Sequence, residues 1–200
     1  SNNWPHDWAM TCLKTLLSAL FLSLASIVHA APIEVDVELV LAVDVSRSMS
    51  PRELEIQRRG YAEALVSDDV INAIKGGLLG QIALRYVEWA GDGSQRVIID
   101  WTLIANRQQA RGVSERLVAN FDSSLRRTSI SSALDHARNS FESNSYTSLR
   151  RVIDVSGDGP NNSGPPVLDA RKRAIDQGII INGLPLMTKD GFYGRYNLDD

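Results

Sequence analysis

Residues 39–43, Leu-Val-Leu-Ala-Val, form an unbroken apolar run that stops at Asp44 and gives way to Ser46, Ser48 and the segment Ser50-Pro51-Arg52-Glu53. An apolar run without polar alternation is the pattern of a strand covered on both faces, as in the middle of a parallel sheet. The residues before it alternate (Val35, Val37, Leu39), so a strand is expected over 33–43. Ser at an N-cap, Pro at the first helical position and Glu three residues past the cap mark a helix start. A strand feeding a capped helix opens a βα unit, and ligands of such sheets gather beyond the carboxyl ends of the strands. That is where Asp44, Ser46 and Ser48 set one carboxylate and two hydroxyls. An i, i+2, i+4 set of oxygens suits a small hard cation.

The remaining pattern extends the same architecture. Leu54, Ile56, Tyr61, Ala64 and Leu65 give a rough helical stripe to Val66, and Asp68 opens a short second helix closed by Gly76-Gly77. Strands are expected over 82–89 and 96–104, joined by the turn signal Gly91-Asp92-Gly93. Helices follow over 106–121 and 129–141, then a strand at 151–156, a helix at 167–177 and a last strand at 179–186. The order predicts a doubly wound, Rossmann-like α/β fold: a mostly parallel sheet with one antiparallel edge strand and helices on both faces. One domain is expected over 33–200. A further helix would be expected to cover the last strand, and the polar stretch ending at Asp199-Asp200 reads as a truncated C-terminus.

The first thirty residues belong to a different design. Lys14 precedes an almost wholly apolar or small run from Leu16 to Val28, and Val28-His29-Ala30 fits the small-residue rule for cleavage after Ala30. The run is shorter than the roughly twenty apolar residues a membrane span needs. A cleavable signal peptide is expected, with residues 1–9 an upstream extension, a periplasmic or secreted location, and no membrane span in the mature chain. The single cysteine, Cys12, lies inside that signal. Thiol chemistry, disulfides and Cys-based metal sites are therefore excluded from the mature chain. Three scattered His residues form no zinc cluster, and a formal net charge of −3 carries no nucleic-acid footprint.

Two further segments are suited to complete a cation site. Thr128 precedes a helix start, and the apolar strand Val152-Ile153-Asp154-Val155-Ser156 runs into Gly157-Asp158-Gly159, which puts Asp158 just past a strand end. Asp154 is unusual in such a strand and is expected at the sheet edge or paired with Arg150 or Arg151. The loop Asn161-Asn162-Ser163-Gly164-Pro165-Pro166 is expected to border the site. Asp-x-Ser-x-Ser, a distant Thr at a helix start and an apolar strand ending in Asp-Gly resemble the metal-ion-dependent adhesion site (MIDAS) of von Willebrand factor type A (vWA) domains. The resemblance covers roughly residues 35–186, and is greatest to uncharacterised exported vWA-like proteins of Gram-negative bacteria. It implies Mg²⁺ or Mn²⁺ held by the hydroxyls of Ser46, Ser48 and Thr128, with Asp44 and Asp158 acting largely through waters. It further implies a protein partner that fills the open coordination position with an exposed Asp or Glu. Where many vWA domains carry Gly-Gly before the Thr, this chain has Arg126-Arg127.

Other readings stay open on the residues alone. Asp44 also fits a turn former at a strand end, with Ser46 and Ser48 as ordinary loop residues in a metal-free interaction module. A metal-dependent phosphatase or hydrolase using Asp44 as nucleophile is the enzymatic alternative. Aspartyl-phosphate chemistry of the haloacid dehalogenase type places a second Asp two residues on, where this chain has Ser46. No nucleophile elbow or phosphate loop is present, so a non-enzymatic role is expected. Asp92 is expected in the hairpin turn, Trp89 and Trp101 in the core, and His136 at a surface or half-buried helix position.

Overall fold

The structure, a computed structural model, describes residues 31–46, 50–119 and 128–186. Residues 1–30 with Cys12, where a signal peptide is expected, together with Ser48, Arg126, Arg127, Phe121 and the stretch from Met187 onward, lie outside the described residues.

In chain order the elements are β1 (Ile33–Glu34), β2 (Val37–Asp44), α1 (Pro51–Val66), α2 (Asp68–Lys75), β3 (Ile82–Trp89), β4 (Gln95–Ile104) and α3 (Arg107–Ala119). There follow α4 (Ile130–Ser140), β5 (Tyr146–Thr147), β6 (Arg151–Gly157), α5 (Val167–Asp176) and β7 (Ile180–Pro185). The main sheet has the order β4-β3-β2-β6-β7. Every neighbouring pair is parallel except the β3–β4 hairpin, which makes β4 the antiparallel edge. β2 sits in the middle, which is why residues 39–43 are apolar without interruption.

Pleating divides those residues between two cores. Leu41 and Val43 face a layer with Ala62, Leu65, Ile71, Leu84, Tyr86, Val113 and Leu117. Val40 and Ala42 face the opposite layer, with Val87, Trp89, Leu134, Ala137, Phe141 and Ile153. Apart from Arg58 on α1, each helix presents small or branched residues at helical spacing to its side of the sheet. Trp101 packs against the second layer and tilts on Phe141, at 5.4 Å between ring centroids.

Helix α1 begins as its sequence dictates. Ser50 Oγ accepts the Glu53 N–H (3.3 Å), and the Glu53 carboxylate accepts the Ser50 N–H (2.7 Å). Its buried stripe differs from the expected one, being Leu54, Arg58, Ala62 and Leu65, with Ile56 59% exposed. Arg58 takes an interior position because Glu88, itself buried on β3, accepts from its Nε at 2.5 Å; Arg96 closes the other side of the carboxylate at 2.7 Å.

The strand expected over 33–43 is split at Asp36. Its carboxylate accepts the N–H groups of Leu79 (2.9 Å) and Gln81 (3.1 Å), and bends the chain before β2. The short β1 pairs in parallel with β5, an element too brief for any periodic signal. Asp154 pairs with neither Arg150 nor Arg151. Its Oδ1 accepts from Asn182 Nδ2 across the β6–β7 ladder (2.6 Å), whereas Arg151 faces Glu38 and Glu142. No helix among the described residues is long and apolar enough to cross a membrane.

Candidate metal centre

The parallel register delivers Asp44 to the crest of the sheet beside Trp89, the last residue of β3. The chain leaves the sheet at Val45, whose N–H is held by the Trp89 carbonyl (2.9 Å). β3 lies on one side of β2 and β6 on the other, so Asp44 stands at the topological switch point.

Its side chain is fully buried, 0% exposed. Oδ1 accepts the Ser46 N–H at 2.7 Å, and Oδ2 faces the Asp158 N–H at 3.4 Å. Ser46 is also buried, and its hydroxyl bonds to the same carboxylate. Among the described residues no basic side chain pairs with Asp44. Burial pushes its carboxyl up to about 6, with the hydrogen bonds from Ser46 opposing and the charge of Asp158 reinforcing the rise. A desolvated carboxylate without a cation is the costly state of such a group.

Asp158 follows β6 directly and is partly exposed. On its other flank it borders an apolar cleft of about 250 Å³ lined by Trp89, Ile130, Val155, Leu184 and Leu186. Asp44, Ser46 and Asp158 are thus in direct contact.

Thr128 reaches the same crest by a different route. Ser129, the N-cap of α4, donates its N–H to the carbonyl of Ala90, one residue past β3 (2.7 Å). That places Thr128, 6% exposed, beside the strand end that pairs with Asp44. Thr128 is held by the loop after β6. Its N–H donates to Asn162 Oδ1 (3.2 Å), and its carbonyl accepts from the N–H groups of Asn162 (3.2 Å) and Ser163 (3.1 Å) and from Ser163 Oγ (3.1 Å).

This loop, expected from its sequence to border the site, also grips the segment that carries Thr128. The available signal was the cluster Asn-Asn-Ser-Gly, whose short polar side chains bond to backbone and whose glycine tolerates unusual angles. Gly164 has φ +82°, and a Cβ there would lie 2.5 Å from Ser129 Oγ, so only glycine lets the loop close on the helix start.

Asp92 lies in the β3–β4 turn, where it accepts a hydrogen bond from Ser132 Oγ. His136 is half-buried on α4, and burial lowers its affinity for a proton. Among the described residues no three His, Cys, Asp or Glu side chains converge, so any cation here would depend on hydroxyls and water beside two carboxylates.

Solved structures share this architecture. The proximal thread matrix protein 1 of the mussel byssus superposes with a TM-score of 0.61 at 15% identity, over 80% of this chain and 39% of that one. Another structure of that protein, described as having a zinc-occupied MIDAS motif, gives 0.59 at 14% identity over 80% and 40%. The pilus adhesin SpaC of Lactobacillus rhamnosus GG gives 0.55 at 14% identity, over 82% of this chain and 26% of the adhesin. The chain therefore spans about two fifths of the mussel protein and about a quarter of the adhesin. At these identities the likeness concerns the fold, which is that of vWA domains. No curated protein matches the sequence. A family model described as "Protein of unknown function (DUF1194)" matches residues 34–200. With that match over most of its length, on a vWA-type fold, the chain belongs to the DUF1194 family.

Proposed function

We propose that this protein is an exported, non-enzymatic vWA module that holds a divalent cation, Mg²⁺ or Mn²⁺, and uses it to dock an acidic group of a protein partner. The ion is assigned to Asp44, Ser46, Ser48, Thr128 and Asp158. The observation that carries the reading is the fully buried carboxylate of Asp44, paired with no basic side chain among the described residues and in contact with Ser46 and Asp158 at the switch point of the sheet.

The donor set fits such an ion. All five groups offer oxygen, which favours Mg²⁺ or Mn²⁺ over softer metals. An ion there would supply positive charge to a carboxylate that no basic side chain among the described residues pairs with. With neutral hydroxyls bound directly and the two carboxylates acting through waters, no anionic group touches the ion, which leaves it able to attract a further carboxylate from outside. The zinc-occupied MIDAS motif of the mussel protein supports divalent-cation binding on this fold. The apolar run and cleavage pattern before Pro32 support export to the periplasm or the medium.

The test is capture of partners from a periplasmic extract with Mg²⁺ or with EDTA. Partners retained only with Mg²⁺, and lost with Asp44→Ala, support the proposal. Metal-independent capture favours an inert interaction module. Metal-dependent turnover of a phosphoester panel, abolished in Asp44→Asn, favours an enzyme.

A further inference from the structure

We infer that Asn162 is a positioning residue that holds Thr128 in register with Asp158, so that one loop sets both donors contributed from outside the β2 end. The inference rests on the cation reading above. Asp158 and Asn162 lie four residues apart on the segment between β6 and α5. At one end of that segment the Asp158 N–H faces Asp44 Oδ2 (3.4 Å). At the other, Asn162 engages both sides of Thr128: its Oδ1 accepts the Thr128 N–H, and its own N–H donates to the Thr128 carbonyl, both at 3.2 Å.

The amide must present its oxygen here, because the group it meets is an N–H donor. Asn161 repeats the arrangement next door, where its Oδ1 accepts the Ser131 N–H (3.3 Å) in the first turn of α4 and its Nδ2 donates to the Pro165 carbonyl (3.3 Å). The loop thus binds the Thr128 segment through side-chain amides, at a sequence separation of 34 residues. A threonine hydroxyl can serve a small octahedral ion only if its backbone is fixed, and groups that orient metal ligands typically change affinity by about 10–100-fold when removed.

Two readouts test this. Amide hydrogen exchange in EDTA reports on Thr128 itself, and Mn²⁺ titration reports on the site. Asn162→Ala is expected to speed exchange at Thr128 and weaken Mn²⁺ binding by about 10–100-fold. Asn162→Asp keeps an acceptor oxygen and is expected to restore protection and most of the affinity. Ser148→Ala removes a hydrogen bond to Glu38 at the far end of the sheet (2.9 Å) and is expected to lower stability without changing Mn²⁺ affinity. Unchanged exchange at Thr128 in Asn162→Ala overturns the inference, as does wild-type Mn²⁺ affinity in that variant. Absence of Mn²⁺ binding by the wild type overturns the cation reading and this inference with it, an outcome distinct from the other two.

Discussion

Replacing Asp44 with asparagine trades function for stability, and the size of the trade follows from the site. The Asp44 carboxyl is buried and pushed from its ordinary 3.8 up to about 6. In the folded protein it therefore holds its proton over a pH range where the unfolded chain has released it. Its contribution to stability is complete below about 3.8 and is lost as pH rises through about 6. At about 1.4 kcal/mol for each tenfold change in proton affinity, ionised Asp44 withdraws about 3 kcal/mol from the metal-free protein.

Asparagine removes that charge. Its carbonyl keeps the Ser46 N–H bond (2.7 Å), but its amide then meets the Asp158 N–H donor to donor (3.4 Å), which returns about 1 kcal/mol. The net gain is about 1–2 kcal/mol at pH 7.5, or roughly 3–6 °C in Tm for a domain of this size. Thermal unfolding in EDTA from pH 3.5 to 8 measures it. The stability advantage of Asp44→Asn should be absent near pH 3.5, grow between about 4 and 6, and stay level above. Mg²⁺ should stabilise the wild type and not the variant. A variant no more stable than wild type at pH 7.5, or a difference that ignores pH, would mean that Asp44 bears no buried, destabilising charge in the metal-free protein.

Three further substitutions separate the packing of the domain from its cation site. Glu88→Gln strips the charge that holds the buried Arg58 (2.5 Å) and Arg96 (2.7 Å), and should cost about 3–5 kcal/mol in urea unfolding. Leu134→Ala, in the α4 layer, should cost about 2–5 kcal/mol while leaving the crest of the sheet intact, so metal affinity should hold as stability falls. Gly164→Ala places a Cβ against Ser129 Oγ at φ +82°, and should lower both Tm and Mn²⁺ affinity.

The sheet was legible in the sequence where burial is two-sided or caps are explicit. Residues 39–43 announce a central strand because nothing polar survives between two packed layers, and Ser50-Pro51-Arg52-Glu53 announces a helix because each residue satisfies a separate end requirement. The placement of Asp44 and Asp158 at strand ends was legible for a related reason, since each follows a mostly apolar strand and needs no knowledge of what packs beside it. The same logic failed at Arg58, which occupies a buried helix position only because Glu88 lies opposite, thirty residues away. It failed again at Asn162, whose role depends on a backbone group 34 positions earlier. Local periodicity carries no information about either pairing. The two-residue strands β1 and β5 are invisible for a third reason: neither is long enough to show a period.

Whether Asp44 helps to hold an ion is decided by titrating the metal-free wild type and Asp44→Ala with Mn²⁺ at pH 7.5, with free ion followed by electron paramagnetic resonance. Cation binding at the crest of the sheet requires one saturable site per chain in the wild type and its loss in the variant. No saturable binding by the wild type, or equal binding by Asp44→Ala, would contradict it.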